Sequence, residues 1–582
     1  MKKLKKVFAV LLSVAMILGM SGTVFAAEPT VNANANGSSN DSVQVSITGI
    51  TGNPTVTLYR IAKGEYSNAS KNAFKDYSWA KGLELSIIEK IKNGTRTADD
   101  VTTIVNGLKA DPQTITPFTG NENGIVTAGS ISGDTYTATV NAGAYIAVIS
   151  GAIDGTIYNP ILLTASYNEQ GQFVGGNVDT SELYGTNGVA KKTTPDVKKE
   201  ITGGTTEDTT IPDTENQRTA AVGDVIDYAV TPTVPQYPSN AKNKTLFVKD
   251  TMSPGLDYLP TSLKIEFGDQ ALKADDDGNF MAGTTKVASV VNTDNGFNLN
   301  FVYDAICDDT GVPYANLKIK YSARVNENAV VGTTGNPNDV KMYYANDPTT
   351  GSTFEPSNDK PTPDGAEGVT KKEDKKIVYT YQLGFKKVDQ QTKDALANAV
   401  FGIYEDKDCT KLVDIVKTNE AGYGVSTSVA AKDYYVKEIE APEGYSLNDT
   451  VYGPNKPTWE KATTIINREE TTIKYTDNAE EAATKPAVQA GWIFNGKFYT
   501  TKPAENAMAA YVKETTTTKV IEESIEENKN GGGTLVFDKE LPNTNLSALP
   551  STGGIGTIIF TVGGCLIMVV AAALYFANRR KA

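Results

Sequence analysis

The sequence predicts a mainly β fold: tandem β-sandwich domains behind an N-terminal β domain that carries a helical insertion. Three observations point there. Short segments alternate apolar and polar residues with period two, as in Val43-Gln44-Val45-Ser46-Ile47. Thr, Val and Tyr are abundant between turn signals at short intervals, the pattern of stacked sheets rather than helices. Finally, about 520 residues separate an apolar N-terminal stretch from an apolar C-terminal one, too many for one core and about right for three domains.

Residues 1–26 combine Lys2, Lys3, Lys5 and Lys6, an apolar stretch from Val7 to Met20, and the small-residue site Val24-Phe25-Ala26. This is the pattern of a secretory signal peptide cut after Ala26. The first domain, 27–190, continues the alternation in Val56-Thr57-Leu58-Tyr59-Arg60-Ile61, then in Tyr136 to Val140, Ala144 to Ile149 and Ile161 to Tyr167. Its helix is set by Thr97 as cap, Asp100 three residues on, and the stripe Val101, Ile104, Val105 and Leu108. A polar joint, Lys191-Lys192-Thr193-Thr194-Pro195-Asp196, leads into the second domain, 191–365. Strands are expected there at Val225 to Val230, Leu246 to Asp250, Leu299 to Tyr303, Leu317 to Val325 and Val340 to Tyr344. The stretch from Asn346 to Lys376, rich in Pro, Gly, Thr and charge, reads as a linker. The third domain, 377–545, resumes with a strand from Val378 to Val388.

At the C-terminus stand Leu549-Pro550-Ser551-Thr552-Gly553-Gly554, an uncharged run from Ile555 to Ala577, and Arg579-Arg580-Lys581. The run is about 23 residues, enough to cross a bilayer as a helix, with the basic cluster retained on the cytoplasmic side. Both hydrophobic ends fall outside the fold. Without their seven positive charges the formal charge moves from −14 to −21, which disfavours nucleic acid and anionic membrane surfaces as partners. Of three cysteines Cys565 lies in the apolar run, leaving Cys307 and Cys409 in different domains, so disulfides are not the source of stability. Histidine is absent, which removes Ser-His-Asp, Cys-His and zinc-hydrolase chemistry. A hydrolase working with paired carboxylates passes this filter, but no localised acid pair marks one. No cofactor or metal is expected.

Within Val197-Lys198-Lys199-Glu200-Ile201, alternation puts Val197, Lys199 and Ile201 on one face, so a core-facing strand buries Lys199. Burial favours the neutral amine, a nucleophile. The arrangement recurs where Leu383, Phe385 and Lys387 share a face of Leu383-Gly384-Phe385-Lys386-Lys387-Val388-Asp389.

Three segments of the third domain carry a resemblance: Lys387-Val388-Asp389, Leu396 to Tyr404, and Tyr434-Tyr435-Val436-Lys437-Glu438-Ile439-Glu440-Ala441-Pro442-Glu443-Gly444-Tyr445. They look like the Ig-like collagen-adhesin B-type (CnaB) domain. The resemblance implies an intramolecular isopeptide bond from Lys387 to an Asn near the last strand, assisted by Glu438. Asn543, in Leu541-Pro542-Asn543-Thr544, is the first candidate and Asn467, in Thr464-Ile465-Ile466-Asn467, the second. The long stretch between Glu438 and Asn543 must hold extra strands or an insertion. The middle domain resembles the A-type (CnaA) fold, in which an Asp replaces the glutamate. That implies Lys199 bonded to Asn338, with Asn346 as fallback, and Asp250 as the assisting acid. Such a bond constrains the chain as a disulfide does but cannot be reduced.

The tail resembles the LPXTG sorting signal of Gram-positive surface proteins, with Leu549, Pro550, Ser551, Thr552 and Gly553 forming the pentapeptide. The family's chemistry implies transpeptidation by a sortase: cleavage after Thr552 and transfer of its carboxyl to an amine. Major pilins of these bacteria present that amine as a lysine at the end of the N-terminal domain, in a Tyr-Pro-Lys-Asn-like motif. The matching place here is Val189-Ala190-Lys191-Lys192-Thr193-Thr194-Pro195, without the Tyr-Pro, which leaves Lys191 first and Lys192 second. An acceptor amine should be exposed and mobile. Tyr237-Pro238-Ser239-Asn240 has the flanks but lacks the lysine, and reads as a turn.

The resemblance therefore implies a structural subunit of a covalent pilus on a Gram-positive surface, supporting adhesion. The expected partners are a pilin-specific class C sortase, a housekeeping sortase and the cell wall, copies of the chain itself head to tail, and ancillary or tip pilins. The alternative is a monomeric wall-anchored adhesin or ancillary pilin holding a host ligand. In neither case is the chain an enzyme beyond its own single-turnover cross-links.

Overall fold

A computed structural model describes residues 37–545, leaving aside 68–73, 119–128, 169–170, 185–187, 309–310, 463–469, 495–496, 500–501, 503, 519–532 and 537–539. The signal peptide, Asn467 and the whole tail from Leu549 to Ala582 lie outside the described residues. Among the described residues no helix is long and apolar enough to cross a membrane.

The first domain stacks two sheets and a helical layer. A five-stranded sheet centred on Thr55–Tyr66, Gly143–Ser150 and Ile161–Tyr167 lies between a four-stranded sheet and two helices. Along Gly143–Ser150, Tyr145, Ala147 and Ile149 pack toward the other sheet, and Ala144, Ile146 and Val148 toward the helices. That strand is buried on both faces, which is why it reads as an unbroken apolar run. The helix Ala98–Leu108 begins with the expected capping box, Thr97 accepting from the Asp100 amide and Asp100 reaching back to the Thr97 amide. A second helix, Leu85–Lys92, escaped the sequence reading; Ile87, Ile88 and Ile91 form its buried stripe.

The middle domain is a sandwich of a five-stranded and a six-stranded sheet around one large core. Its strands fall where expected with two differences. The strand expected to reach Tyr303 stops at Phe301, and Tyr303–Ile306 forms a single helical turn whose Tyr303 hydroxyl donates to the Pro235 carbonyl at 2.7 Å. The segment read as a linker is not one throughout. Val369–Val378 is the edge strand of the six-stranded sheet, in register with Asn336–Ala345 over ten residue pairs, so the middle domain extends past residue 365. Charged residues on an edge strand keep it from pairing with other chains, and composition alone cannot separate such a strand from a linker. Lys372 of this strand also donates to the Asp154 carbonyl of the first domain at 2.6 Å.

The third domain packs two four-stranded sheets around Tyr381, Leu383, Phe385, Phe401, Ile403, Tyr434 and Val436. The expected extra strands are present: Glu470–Thr476, Gln489–Phe494, Lys497–Tyr499 and Met508–Thr518 form a separate sheet before the chain returns at Thr534–Val536. Cys307 is buried in the middle domain, Cys409 lies in the third, and both are free.

Candidate functional site

Alternation delivers both lysines to the core. In Val197–Gly203, Val197 and Lys199 are buried while Lys198 is exposed, and Lys199 has no exposed surface. The strand opposite across the core, Leu246–Met252, buries Asp250. Next to it in the same sheet lies Asn336–Ala345, where Asn338 stands in register with Met252. Lys199 thus belongs to the five-stranded sheet, and Asp250 and Asn338 to the six-stranded one. Lys199 Nζ donates to Asp250 Oδ2 at 2.7 Å and to Asn338 Oδ1 at 2.5 Å. Its Nζ lies 5.4 Å and 5.6 Å from the ring centres of Tyr228 and Tyr321. Asn346, the fallback partner, is half-buried beyond the end of this strand, and its amide donates to the Gly368 carbonyl.

Desolvation governs the electrostatics here. Burial pushes the Lys199 amine below the usual lysine range, against the pull of Asp250, and lifts the Asp250 carboxyl above the usual carboxylate range, against Lys199. Both shifts favour a neutral amine beside a neutral acid. Asp250 Oδ2 also accepts from the Tyr321 hydroxyl at 2.6 Å, and the Asn338 amide nitrogen donates to that hydroxyl at 3.2 Å. Asp250 Oδ1 has no hydrogen-bond partner among the described residues.

The third-domain site uses the same side-chain types in another topology. Lys387 is buried beside Leu383 and Phe385 on Gln382–Asp389, as its alternation implied. Asn543 lies on Leu541–Asn543, which pairs in parallel with the Lys387 strand, so both partners occupy neighbouring strands. Glu438 faces them from Tyr434–Glu440 in the opposite sheet. Lys387 Nζ donates to Asn543 Oδ1. Glu438 Oε1 is 3.2 Å from Lys387 Nζ and accepts from Asn543 Nδ2 at 2.9 Å, while its Oε2 accepts from the Asn448 amide at 2.7 Å. Burial lowers the Lys387 pKa against the attraction of Glu438. Lys199, Asp250 and Asn338, and likewise Lys387, Glu438 and Asn543, are thus brought together, and the fallback Asn346 is not.

The joint before the middle domain departs from expectation. Lys191 is only 8% exposed: its Nζ pairs with Glu182 at 2.9 Å and stands 5.4 Å from the Tyr184 ring centre. Lys192 is half-buried, in a two-residue strand paired with Ile157–Tyr158, and its Nζ donates to the Gly49 carbonyl at 2.8 Å. Short-strand pairing and these contacts hold both amines, which were expected to be free. The Tyr237-Pro238-Ser239-Asn240 turn proves to be a docking point for the first-domain helix. Ser239 donates to Asp99 at 2.7 Å, and Asn240 Nδ2 reaches the Asp99 carbonyl and Thr103. Sequence reasoning also passed over Tyr321, which looks like any core tyrosine on an alternating strand.

Four family models match the chain. They are described as a T6 antigen Ig-like domain over 40–192, a Gram-positive pilin backbone subunit 2 Cna-B-like domain over 222–348, a prealbumin-like fold domain over 381–453, and an LPXTG cell wall anchor motif over 541–582. The middle match carries a B-type description where the aspartate pattern resembles the A type. The chain is 39% identical over 552 residues to the trypsin-resistant surface T6 protein of Streptococcus pyogenes serotype M6, covering 94% of this chain and 96% of that one. The solved structure of the T6 backbone pilin of that serotype, described as modular and three-domain, aligns with 87% of this chain and 99% of its own at 35% identity and a TM-score of 0.63.

Proposed function

The chain belongs to the Gram-positive backbone pilins and is a shaft subunit of a cell-wall-anchored surface pilus, and we propose that it becomes covalent at two levels, within each subunit and between subunits. Within a subunit, Lys199 joins Asn338 and Lys387 joins Asn543. In each, the neutral amine attacks the side-chain amide carbon, the C–Nζ bond forms, the amide C–N bond breaks, and ammonia leaves with the proton the amine gives up. Asp250 and Glu438 mediate the transfer of that proton from the amine to the leaving nitrogen. The observation that carries this reading is that a buried amine, a buried carboxyl and a side-chain amide meet twice within hydrogen-bond distance where no disulfide is formed.

Between subunits, a sortase of the pilin-specific class moves the Thr552 carboxyl to Lys191 of the next copy, with Lys192 the second choice. The run from Ile555 to Ala577 holds the chain in the membrane until then. The housekeeping enzyme attaches the finished fibre to the wall, and ancillary or tip subunits join the same fibre. Either acceptor must first leave its present contact, Glu182 for Lys191 or the Gly49 carbonyl for Lys192. Binding of the enzyme at this joint supplies that release.

Intact mass of the mature chain tests the internal bonds. It should fall two ammonia equivalents short of the sequence mass, and Asp250→Ala and Glu438→Ala should each restore one. A mass equal to the sequence refutes the cross-links. For the polymer, denaturing gels of the cell wall fraction should show a high-mass ladder that Lys191→Ala abolishes. Loss with Lys192→Ala alone reassigns the acceptor, and a ladder that survives both substitutions together removes this joint from the polymer.

A further inference from the structure

The two sites solve one proton problem with carboxyls of different length. For ammonia to leave, a proton from the attacking amine must reach the amide nitrogen. In the third domain one oxygen does both jobs, since Glu438 Oε1 contacts Lys387 Nζ at 3.2 Å and Asn543 Nδ2 at 2.9 Å. The aspartate of the middle domain is one methylene shorter. Its Oδ2 meets Lys199 Nζ at 2.7 Å, while the polar group beside Asn338 Nδ2 is the hydroxyl of Tyr321, at 3.2 Å. That hydroxyl is hydrogen-bonded at 2.6 Å to the same Asp250 Oδ2. Lys199, Asp250, Tyr321 and Asn338 therefore close a ring of hydrogen bonds around the bond that forms.

We propose that Tyr321 is a catalytic residue of the middle-domain cross-link, a relay that carries the proton from Asp250 to the departing nitrogen of Asn338. This rests on the cross-linking reading above. In the unreacted site the hydrogens run from Asn338 Nδ2 to Tyr321 and from Tyr321 to Asp250. Once Lys199 Nζ has bonded to the amide carbon, Nδ2 becomes tetrahedral and gains a basic lone pair. Neutral Asp250 passes its Oδ2 proton to the tyrosine oxygen as the tyrosine hydroxyl turns and its hydrogen moves to Nδ2, and the carboxylate left behind takes the proton shed by Nζ. The C–Nδ2 bond then breaks, ammonia leaves, and both Tyr321 and Asp250 return to their starting protonation. No outside acid or base is consumed.

The surroundings favour this role over simple packing. Tyr321 stacks on Tyr228 at 5.5 Å with 15° between the rings, and meets Phe297 edge-on at 5.0 Å. These contacts fix the ring, and its 2% exposure keeps it out of contact with bulk water. Burial raises the phenol well above its usual range, so it stays a hydroxyl, able to give one proton while taking another.

The test follows full-length chain during cell-free synthesis, counting the Lys199–Asn338 and Lys387–Asn543 cross-linked peptides by mass spectrometry. Tyr321→Phe should slow the first linkage by about 10²-fold, the usual worth of a positioned proton donor, and leave the second at its normal rate. Tyr258→Phe removes a hydroxyl from the same aromatic cluster that points to Asn292 instead, and should change neither. The proposal is overturned if Tyr321→Phe links at the wild-type rate, or is slowed no more than Tyr258→Phe. Should Tyr321→Phe fail to fold, the wild-type chain in mixtures of light and heavy water decides. Two protons in flight give a curved rate dependence for the middle bond against a linear one for the third-domain bond, and a linear middle bond overturns the relay. Wild-type chain forming neither linkage overturns the cross-linking reading itself, and the relay with it.

Discussion

The middle and third domains each bury a lysine, a carboxylic acid and an asparagine, yet they tie different parts of a sandwich together. In the third domain the lysine and asparagine sit on neighbouring parallel strands of one sheet, and the acid reaches over from the other. In the middle domain the lysine faces its asparagine across the core, and the acid sits beside the asparagine. The first bond would close a sheet on itself and the second would rivet two sheets. What the difference teaches is that the chemistry constrains three atoms and leaves the topology free. It also makes side-chain length decisive: a glutamate spans amine and amide with one oxygen, and an aspartate needs a hydroxyl to complete the span.

The largest way to break this comparison is to remove either lysine. The cross-links close loops with partners 139 and 156 residues apart, so by the loop-entropy argument used for disulfides each contributes roughly 5 kcal/mol, nearly the same for both. Lys199→Ala should nonetheless cost more than Lys387→Ala. It leaves Asp250 buried with one oxygen already unpartnered, whereas Glu438 keeps the Asn448 amide. Thermal unfolding of the two variants compares them directly, and equal losses would show that the stranded acid carries no weight.

A sharper test exchanges the acids. Glu438→Asp shortens the carboxyl where its one oxygen spans amine and amide, so the third-domain bond should form about 10²-fold more slowly, read from the cross-linked peptide. Asp250→Glu should still permit the middle bond, because the longer acid reaches Nδ2 itself. Its penalty is overpacking, about 1–3 kcal/mol in the melting of the domain. If both exchanges were silent, carboxyl length would not matter.

The smallest effect is in pH. In the uncrosslinked Asn338→Ala variant, Lys199 lowered from its ordinary 10.5 means the folded state has shed a proton that the unfolded state keeps. Alone, this makes stability rise with pH up to that value. Asp250 raised from its ordinary 3.8 means the folded state holds a proton that the unfolded state has lost, and alone makes stability fall as pH rises above that value. Together the proton counts match, so denaturation midpoints should be flat between about pH 5 and 9. Adding Asp250→Asn unmasks the lysine, and stability should then decline as pH is lowered. A slope in Asn338→Ala alone would mean that the two groups are not exchanging one proton.

Much of this was legible in the sequence because strand alternation is a strong signal. It put Lys199 and Lys387 in the core, and the resemblance to the B-type collagen-adhesin domain, not the alternation, implied Asn543 ahead of Asn467. Tyr321 was hidden for a physical reason: it lies 71 residues from Asp250, on a strand whose alternating pattern makes any tyrosine look like filling. The burial of Lys191 was hidden too, since the Glu182 that holds it belongs to a turn with no pattern of its own. Helix Leu85–Lys92 was missed because eight residues offer only two turns of periodicity.

The edge strand Val369–Val378 has a further consequence, for proteases. Its Lys371, Lys372, Lys375 and Lys376 would make a true linker an easy target for an enzyme that cuts after basic residues. Such an enzyme must draw an extended, unpaired stretch of backbone into its cleft. Here the backbone is paired along its whole length with Asn336–Ala345, and Lys372 is tied to the Asp154 carbonyl. The strand also leads within a few residues into the one that bears Lys387, so the boundary between two domains offers no slack segment to cut. Digestion there has to wait until the ladder opens, and the ladder is part of the middle sandwich.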